Sequence, residues 1–149
     1  HMAKYSARGV SEAATNPDTS LTVIGAATLR PKIFDILMGC AATPADAQVT
    51  HTVQRVSAAG TSTAVTPEPL ETGDRAATCS AGQTHSAEPT PAGIPWIVLP
   101  IHQRASFRWV ARQGGEFVIV ATAANGVGHS RTACTTGTPA VNSTIMWEE

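Results

Sequence analysis

Apolar and polar residues alternate over several short stretches of this chain, which is the pattern of half-buried β-strands. In Ser106–Val110, the apolar Phe107 and Trp109 alternate with polar neighbours. The pair Gly114-Gly115 follows, and then the mostly apolar run 116–121. Alternation, a Gly-Gly pair and a second apolar run together predict a β-hairpin that turns at residues 114–115.

Further strands are expected between clusters of turn-forming residues. The β-branched residues of 49–56 predict a strand. Alternation in 141–147 predicts a strand with Val141, Ile145 and Trp147 facing inward. The nearly continuous apolar run 32–38 predicts a strand, with a short helix as the alternative. Strands are also expected over 21–29, 63–66, 84–88 and 96–101, the last at an edge or a bulge because it contains Pro100.

About eight short strands without a long helical period predict a single all-β domain, a β-sandwich of jelly-roll-like type, over residues 21–149. Residues 1–20 are small and polar apart from a few positions. We interpret His1-Met2 as a cloning scar and the rest of 1–20 as a flexible N-terminal arm. In an assembly, such an arm would lie across a neighbouring subunit.

The composition narrows the class of protein. Charged residues make up 14% of the chain and the net charge is −1, so the sequence lacks the basic surface that nucleic-acid binding requires. No apolar run is long enough for a membrane span, and no signal peptide is recognisable. We therefore expect a protein made in a reducing cytosol. A disulfide framework is not expected there, although a pair between Cys79 and Cys134 stays open.

No combination of residues predicts a reaction or a metal site. Apart from His1 of the cloning scar, the histidines are His51, His85, His102 and His129, and they are too far apart in sequence for paired ligands. Residues 126–130 resemble a nucleophile elbow only in part, because Ser130 is misplaced. Isolated carboxylates and few aromatic residues fit glycoside hydrolysis poorly. We expect a non-enzymatic protein without catalytic, metal-binding or cofactor-binding residues and without a cofactor.

Arginines on or beside strands are candidates for subunit contacts. Arg108 alternates with Phe107 and Trp109, and a strand arginine can form a bidentate pair with a carboxylate. The pair would join two subunits, with Glu116, Glu148 or Glu149 as the partner; a solvated sheet face is the alternative. The candidate assembly residues are Arg55, Arg104, Arg108, Trp109, Trp147, Glu148 and Glu149.

A resemblance to a known group of proteins rests on eight strings along the chain. They are FDILMG at 34–39, ATPAD at 42–46, QR at 54–55, AGTSTAVTP at 59–67, HSAEPT at 85–90, QRASFRW at 103–109, ATAANG at 121–126 and WEE at 147–149. The combination resembles small virion structural proteins of tailed bacteriophages. The resemblance covers most of the chain from about Leu29 onward and includes no catalytic motif.

The resemblance implies a capsid decoration, or cement, protein that stabilises the phage head. Such a protein would self-associate, as a trimer in our expectation, and bind the major capsid protein in virions assembled in the bacterial cytoplasm. It implies no cofactor, and we expect neither nucleic acid nor a membrane as a partner. The alternative is a carbohydrate- or receptor-binding module of a virion fibre or tail, with Tyr5, Trp96 and Trp109 as candidate contacts. A virion-associated hydrolase is a third hypothesis.

Overall fold

A computed structural model describes residues 2–12 and 15–149 of the chain. These residues form thirteen β-strands, whose side chains point alternately inward and outward. No helix occurs among these described residues. The strands are β1 Lys4–Val10, β2 Asp18–Ile24, β3 Lys32–Cys40, β4 Gln48–Ala58, β5 Thr61–Val65, β6 Glu68–Pro69, β7 Ser80–Ala87, β8 Thr90–Pro91, β9 Ile97–His102, β10 Ser106–Val110, β11 Phe117–Val118, β12 Gly126–Cys134 and β13 Val141–Glu148.

The strands form two antiparallel sheets that pack face to face. The first sheet has the order β10-β3-β13-β1-β6, and β11 also pairs with β3. The second sheet has the order β5-β7-β2-β12-β4-β8, and β9 also pairs with β4. The predicted all-β sandwich is therefore confirmed. Three of the thirteen strands have only two residues, so the described part of the chain contains ten longer strands, compared with the expected number of about eight.

Apolar side chains from both sheets fill most of the space between them. The rings of Tyr5 and Trp147 lie at its centre, with centroids 6.0 Å apart. Around them, Ile33, Ile36 and Ile145 of the first sheet meet Leu21, Val23, Val53 and Val127 of the second. Burial of each large side chain contributes about 1.5–3 kcal/mol. The inward orientation predicted for Val141, Ile145 and Trp147 is confirmed, because all three are fully buried.

Several strand predictions agree with the structure. Residues 32–38 lie in β3, so the helical alternative for this segment is wrong. Residues 49–56 lie in the longer β4. Among the described residues β9 pairs only with β4, which is the edge position that Pro100 predicted.

The prediction of a flexible arm over residues 1–20 is wrong for Lys4–Val10 and for the start of β2. Strand β1 pairs with β13 along its whole length, and Tyr5 and Ala7 are buried in the core. Strand β2 begins at Asp18, so the sandwich does not start at residue 21. Ala7 and Gly9 are inward residues of this strand but are small, so its sequence resembles a polar flexible segment and not an alternating strand. Residues 1, 13 and 14 of the predicted arm lie outside the described residues.

The predicted hairpin at residues 114–115 is also wrong. Strands β10 and β11 both pair with β3, at 35–39 and 32–33 respectively, so they are successive pieces of one edge. Gly114 has a φ of 79°, and the N–H of Gly115 donates to the carbonyl of Arg112, so the Gly-Gly pair closes a turn within the loop that joins β10 to β11. This loop returns the chain to the same edge, where Phe117 stacks on Trp109 with ring centroids 4.2 Å apart.

Replacement of Gly9 by alanine should destabilise the fold if β1 belongs to the sandwich. A Cβ on Gly9 would collide with the carbonyl oxygen of Ser20 and would lie 2.8 Å from the Cβ of Gln83. Overpacking of this kind costs about 1–3 kcal/mol. We expect Gly9→Ala to lower the free energy of unfolding, measured by urea denaturation, by that amount.

The matched control is Gly39→Ala in β3. Its nearest contact would be the Cβ of Ser106 at 3.4 Å, which is an ordinary van der Waals distance. A Gly9→Ala variant as stable as Gly39→Ala would contradict the close packing of β1, in the first sheet, against Ser20 and Gln83 of the second.

Candidate functional site

The fold brings two histidines together between the sheets, although the sequence predicted them to be scattered. His129 of β12 and His51 of β4 are both fully buried, and their rings stack with centroids 5.1 Å apart. His51 Nδ1 lies 2.9 Å from His129 Nε2. Ser20 Oγ lies 2.6 Å from His129 Nδ1, on the other side of the same ring. The result is a serine–histidine–histidine chain of hydrogen bonds.

A second serine joins this chain to the opposite sheet. Ser143 of β13 belongs to the first sheet, whereas Ser20, His51 and His129 belong to the second. The two hydroxyl oxygens, Ser20 Oγ and Ser143 Oγ, lie 2.6 Å apart, and either can be the donor. We refer to Ser20, His51, His129 and Ser143 as the polar layer.

A β-bulge in β2 gives Ser20 its inward orientation. Leu21 pairs with His129 and Thr19 pairs with Ser130, so Ser20 is an extra residue on its strand. An extra residue interrupts the strict alternation of faces. Leu21 and Ser20 can therefore both point between the sheets, Leu21 into the apolar core and Ser20 into the polar layer.

The bulge also directs Asp18 towards a buried arginine next to the polar layer. Arg131 NH2 lies 3.3 Å from Asp18 Oδ2, and both side chains are fully buried. Arg131 also donates to Asn16 Oδ1 at 2.8 Å and to the carbonyl oxygens of Thr15 and Pro139. Removal of a charge from water is tolerated only with such extensive pairing. Arg131 therefore ties 15–16 and the segment before β13 to the second sheet.

The chemistry of the polar layer differs from that of a nucleophilic site. Burial lowers the pKa of His51 to about 4. Burial, together with the neighbouring His51 ring, lowers the pKa of His129 well below its usual value. A general base for serine activation needs a pKa near the working pH and is usually oriented by a carboxylate. Here the histidines are neutral at pH 7, and Ser20 has no exposed surface.

A second polar cluster forms around Glu149, the last residue of the sequence. Its carboxylate accepts hydrogen bonds from the backbone N–H of Thr78 at 2.6 Å and of Cys79 at 3.2 Å. It also accepts from Trp147 Nε1 at 3.1 Å and from Arg75 at 2.9 Å. Burial raises the pKa of Glu149, but the hydrogen bonds from Cys79, Thr78 and Trp147 outweigh that effect and lower the pKa to about 2. Glu149 thus fastens the segment before β7 to the core.

The structure places the predicted assembly residues in three different environments. Trp147 and Glu149 are buried in the interior. Trp109 and Glu148 are half-buried, and Arg55, Arg104 and Arg108 are exposed. The fold therefore does not gather these seven residues into one surface.

Arg108 finds a carboxylate within its own chain. Its Nε lies 3.0 Å from Asp35 Oδ1, and its NH2 lies 2.6 Å from Asp35 Oδ2, which is a bidentate pair between β10 and β3. This pairing occupies the fork of the guanidinium that we expected to bind Glu116, Glu148 or Glu149 of another subunit.

The aromatic residues proposed for carbohydrate binding make contacts within the chain instead. Tyr5 is fully buried, and its hydroxyl donates to the carbonyl of Arg75. Trp96 and Trp109 both stack on Phe117, with ring centroids at 4.4 Å and 4.2 Å. This stack closes the side of the sandwich where β9, β10 and β11 form the edges.

One pattern in the sequence does indicate the buried polar groups of β12. In β12, His129 and Arg131 alternate with Gly128 and Ser130, so the large polar residues share a face with Val127. We had interpreted the histidines as scattered because none are paired at short spacing. The positions of Ser20 and Ser143 had no signal, because the first depends on a bulge and the second on contact between the sheets.

Other features of a functional site can be stated for the described part of the chain. The three cysteines are free. Within residues 2–12 and 15–149, no group of three or more His, Cys, Asp or Glu side chains could hold a metal ion. These residues also include no helix that is long and apolar enough to cross a membrane. None of the family models, curated proteins or solved structures compared with the chain matches it.

Acidification should destabilise the fold through the buried histidines. The pKa of His51 is about 4 in the folded protein, compared with 6.5 for an unperturbed histidine. Between pH 6.5 and pH 4 the unfolded chain binds more protons than the folded chain does. The contribution of neutral His51 to the free energy of unfolding is therefore fully present above pH 6.5 and is lost as the pH falls towards 4. The difference between the two pKa values corresponds to about 3 kcal/mol of this free energy. Urea denaturation at a series of pH values measures it.

The variant His51→Gln separates this effect from other titrations. It should be less stable than the wild type at neutral pH, but its stability should fall less as the pH decreases from 6.5. Glu149 titrates in a lower range, since its pKa falls from 4.5 to about 2. An unchanged pH dependence in His51→Gln would show that His51 is not held neutral by the fold.

Replacement of Glu149 by glutamine tests the second cluster. The neutral amide loses the charge and one of the two acceptor oxygens that serve Thr78, Cys79, Trp147 and Arg75. We expect a loss of about 1–3 kcal/mol at neutral pH in thermal or urea denaturation. The control Glu148→Gln changes the neighbouring residue and should alter the stability by less than about 0.5 kcal/mol. Equal effects of the two substitutions would contradict the role of Glu149.

Proposed function

We propose that this chain is a non-enzymatic structural protein of a bacteriophage virion, and specifically a capsid decoration protein that self-associates and stabilises the head. The observation that supports this proposal best is the state of the potentially reactive residues. Ser20, His51 and His129 are fully buried and bonded to one another, so they join strands rather than meet a substrate. The link to phage virions is the resemblance of the eight strings to small virion structural proteins.

The sandwich has properties that suit a decoration protein. Such a protein must keep its shape while it holds neighbouring capsid subunits together. The polar layer, the Asp18–Arg131 pair and the Glu149 cluster each connect parts of the chain that are far apart in sequence. Edge strands such as β5, β9 and β10 have one unpaired side among the described strands, and another chain could extend the sheet there.

Contacts with neighbouring subunits then come from edges and loops, since Lys4–Val10 is part of the first sheet and cannot serve as an arm. We propose a closed ring with cyclic symmetry, a trimer in the first instance, because identical contacts repeated around an axis end in a closed assembly. The partner in the virion is the major capsid protein of the phage. The protein acts without a cofactor, and no nucleic acid or membrane is required as a partner.

The first test is the mass of the purified protein, measured by light scattering on a sizing column. Three copies of a 15.4 kDa chain give a particle of about 46 kDa. A monomer over the whole accessible concentration range would contradict self-association in solution.

The second test concerns the virion. Peptide mass spectrometry of purified particles, made by the phage that encodes the chain, should detect it in a fixed ratio to the major capsid protein. Heads that lack the chain should release their DNA at a lower temperature, and added purified protein should restore the wild-type temperature. Particles without the chain, or heads whose stability is unaffected by it, would overturn the proposal. Clearing of a bacterial cell-wall suspension by the purified protein would favour a hydrolase instead.

A further inference from the structure

The outer face of the second sheet carries a groove with a volume of about 280 Å³. The residues that line it include Val56 of β4, Gly128 of β12, Glu88, and the three prolines Pro17, Pro89 and Pro91. Gly128 leaves space in the groove that a side chain would occupy. A Cβ at this position would fit, because its nearest contacts, with Thr22 and Val56, would be at the ordinary distance of 3.6 Å. Sites for small molecules usually measure about 300–1,000 Å³. This groove is therefore of a size for one or two side chains.

An isoleucine next to the groove is the most exposed large apolar residue of the described chain. Ile94 is 85% exposed and lies in the connection between β8 and β9. Its neighbours are fixed to β4: the N–H of Ala92 donates to the carbonyl of Arg55, and the N–H of Trp96 donates to the carbonyl of Val53. Gln54 Nε2 also donates to the carbonyl of Gly93 at 3.0 Å.

This anchoring has two consequences for Ile94. The side chain is presented to solvent by a held loop, so little conformational entropy remains to be lost when it binds. Its exposure also shows that it does not fill the groove of its own chain, although Pro91, which lines the groove, is only three residues away.

A charged residue lies beside the isoleucine and another beside the groove, and the two charges have opposite signs. Arg55 is exposed beside the loop, with one guanidinium nitrogen 2.6 Å from the place of a Cβ on Gly93. Glu88 is half-buried at the groove and accepts hydrogen bonds from the N–H and hydroxyl of Thr19. Neither Arg55 nor Glu88 forms an ion pair with another described residue. A cation beside the isoleucine and an anion beside the groove are complementary between two copies.

We propose that Ile94 of one copy of the chain docks into this groove of a second copy, with Arg55 of the first copy facing Glu88 of the second. This inference rests on the self-association in the proposed function and names the surfaces that produce it. In a ring, the isoleucine of each copy enters the groove of the next copy, and this head-to-tail contact closes when the rotation between neighbours is a whole fraction of a turn. Two copies that exchange both contacts would instead form a reciprocal dimer, which light scattering distinguishes from a trimer by its mass. An apolar anchor in a pocket, with a charged pair at its border, is the usual centre of a stable interface.

The test compares the masses of three variants by light scattering. Ile94→Asp removes the anchor, and Gly128→Val fills the groove. Each should weaken self-association by at least about tenfold, because central interface residues have effects of this size or larger. The matched control is Leu70→Asp, which puts the same charge at another exposed apolar position, 47% exposed and outside the edge strands β5, β9 and β10, and should leave the mass unchanged. Thermal unfolding of every variant shows whether it remains folded, and Gly128→Ala replaces Gly128→Val if the latter is not.

Mixing the two defective variants provides a sharper test. Ile94→Asp retains an intact groove, and Gly128→Val retains an intact isoleucine. Each alone should be a monomer, whereas an equal mixture should form a pair with one intact contact, of about 31 kDa from two chains of 15.4 kDa. A mixture that stays monomeric would contradict head-to-tail docking.

The results also distinguish this inference from the proposed function. If the wild type is an oligomer and both folded variants keep its mass, the docking of Ile94 is wrong while self-association stands. If the wild type is a monomer at every accessible concentration, self-association in solution and this docking are both wrong. The virion role is decided separately, by the particle composition and head stability described above.

Discussion

The two sheets are held in one alignment by a hydroxyl contact in the interior, between Ser20 Oγ of β2 and Ser143 Oγ of β13. A polar group buried without a partner costs about 1–3 kcal/mol, so the sheets pack where the two hydroxyls and the His129 ring reach one another, and His51 Nε2 is the one atom of the polar layer without a hydrogen-bond partner among the described residues. A shift of β2 by one residue would turn Ser20 away from both Ser143 and His129. Gly9 contributes to the same alignment of the two sheets, because only a residue without a side chain lets β1 approach the Ser20 carbonyl so closely.

Sequence patterns predicted the strands that have a clear apolar or β-branched signal. Alternation identified β10 and β13, a continuous apolar run identified β3 and β-branched residues identified β4, and the all-β sandwich follows from them. The pattern failed for β1, where Ala7 and Gly9 occupy inward positions and carry almost no hydrophobic signal. It also failed at Gly114-Gly115, because a Gly-Gly turn can close a hairpin or lie in a loop between two pieces of one edge, and the choice depends on which strand offers free hydrogen-bonding groups.

The partners of the polar side chains could not be predicted for a related reason. Arg108 was recognised as a strand arginine, but its pairing with Asp35 depends on the register of two strands that are 73 residues apart in the chain. Glu149 was a candidate for a subunit contact, which would place it at the surface. Its burial depends on three donors in the segment before β7, at Arg75, Thr78 and Cys79, and on the indole N–H of Trp147 in β13. Local pattern identifies a face of a strand, whereas the partner of a polar group is a property of the whole fold.

Strand β4 connects the interior to the proposed interface. Its inward residues include His51 and Val53, which belong to the polar layer and the apolar core. Its carbonyl groups at Val53 and Arg55 hold both ends of the loop that presents Ile94, and Val56 forms part of the groove. The buried hydrogen bond between His51 and His129 therefore fixes the strand on which the loop and the groove are both built. A rigid interior is thus the physical basis for presenting an isoleucine and a receiving groove at a constant separation, which a closed ring of identical subunits requires.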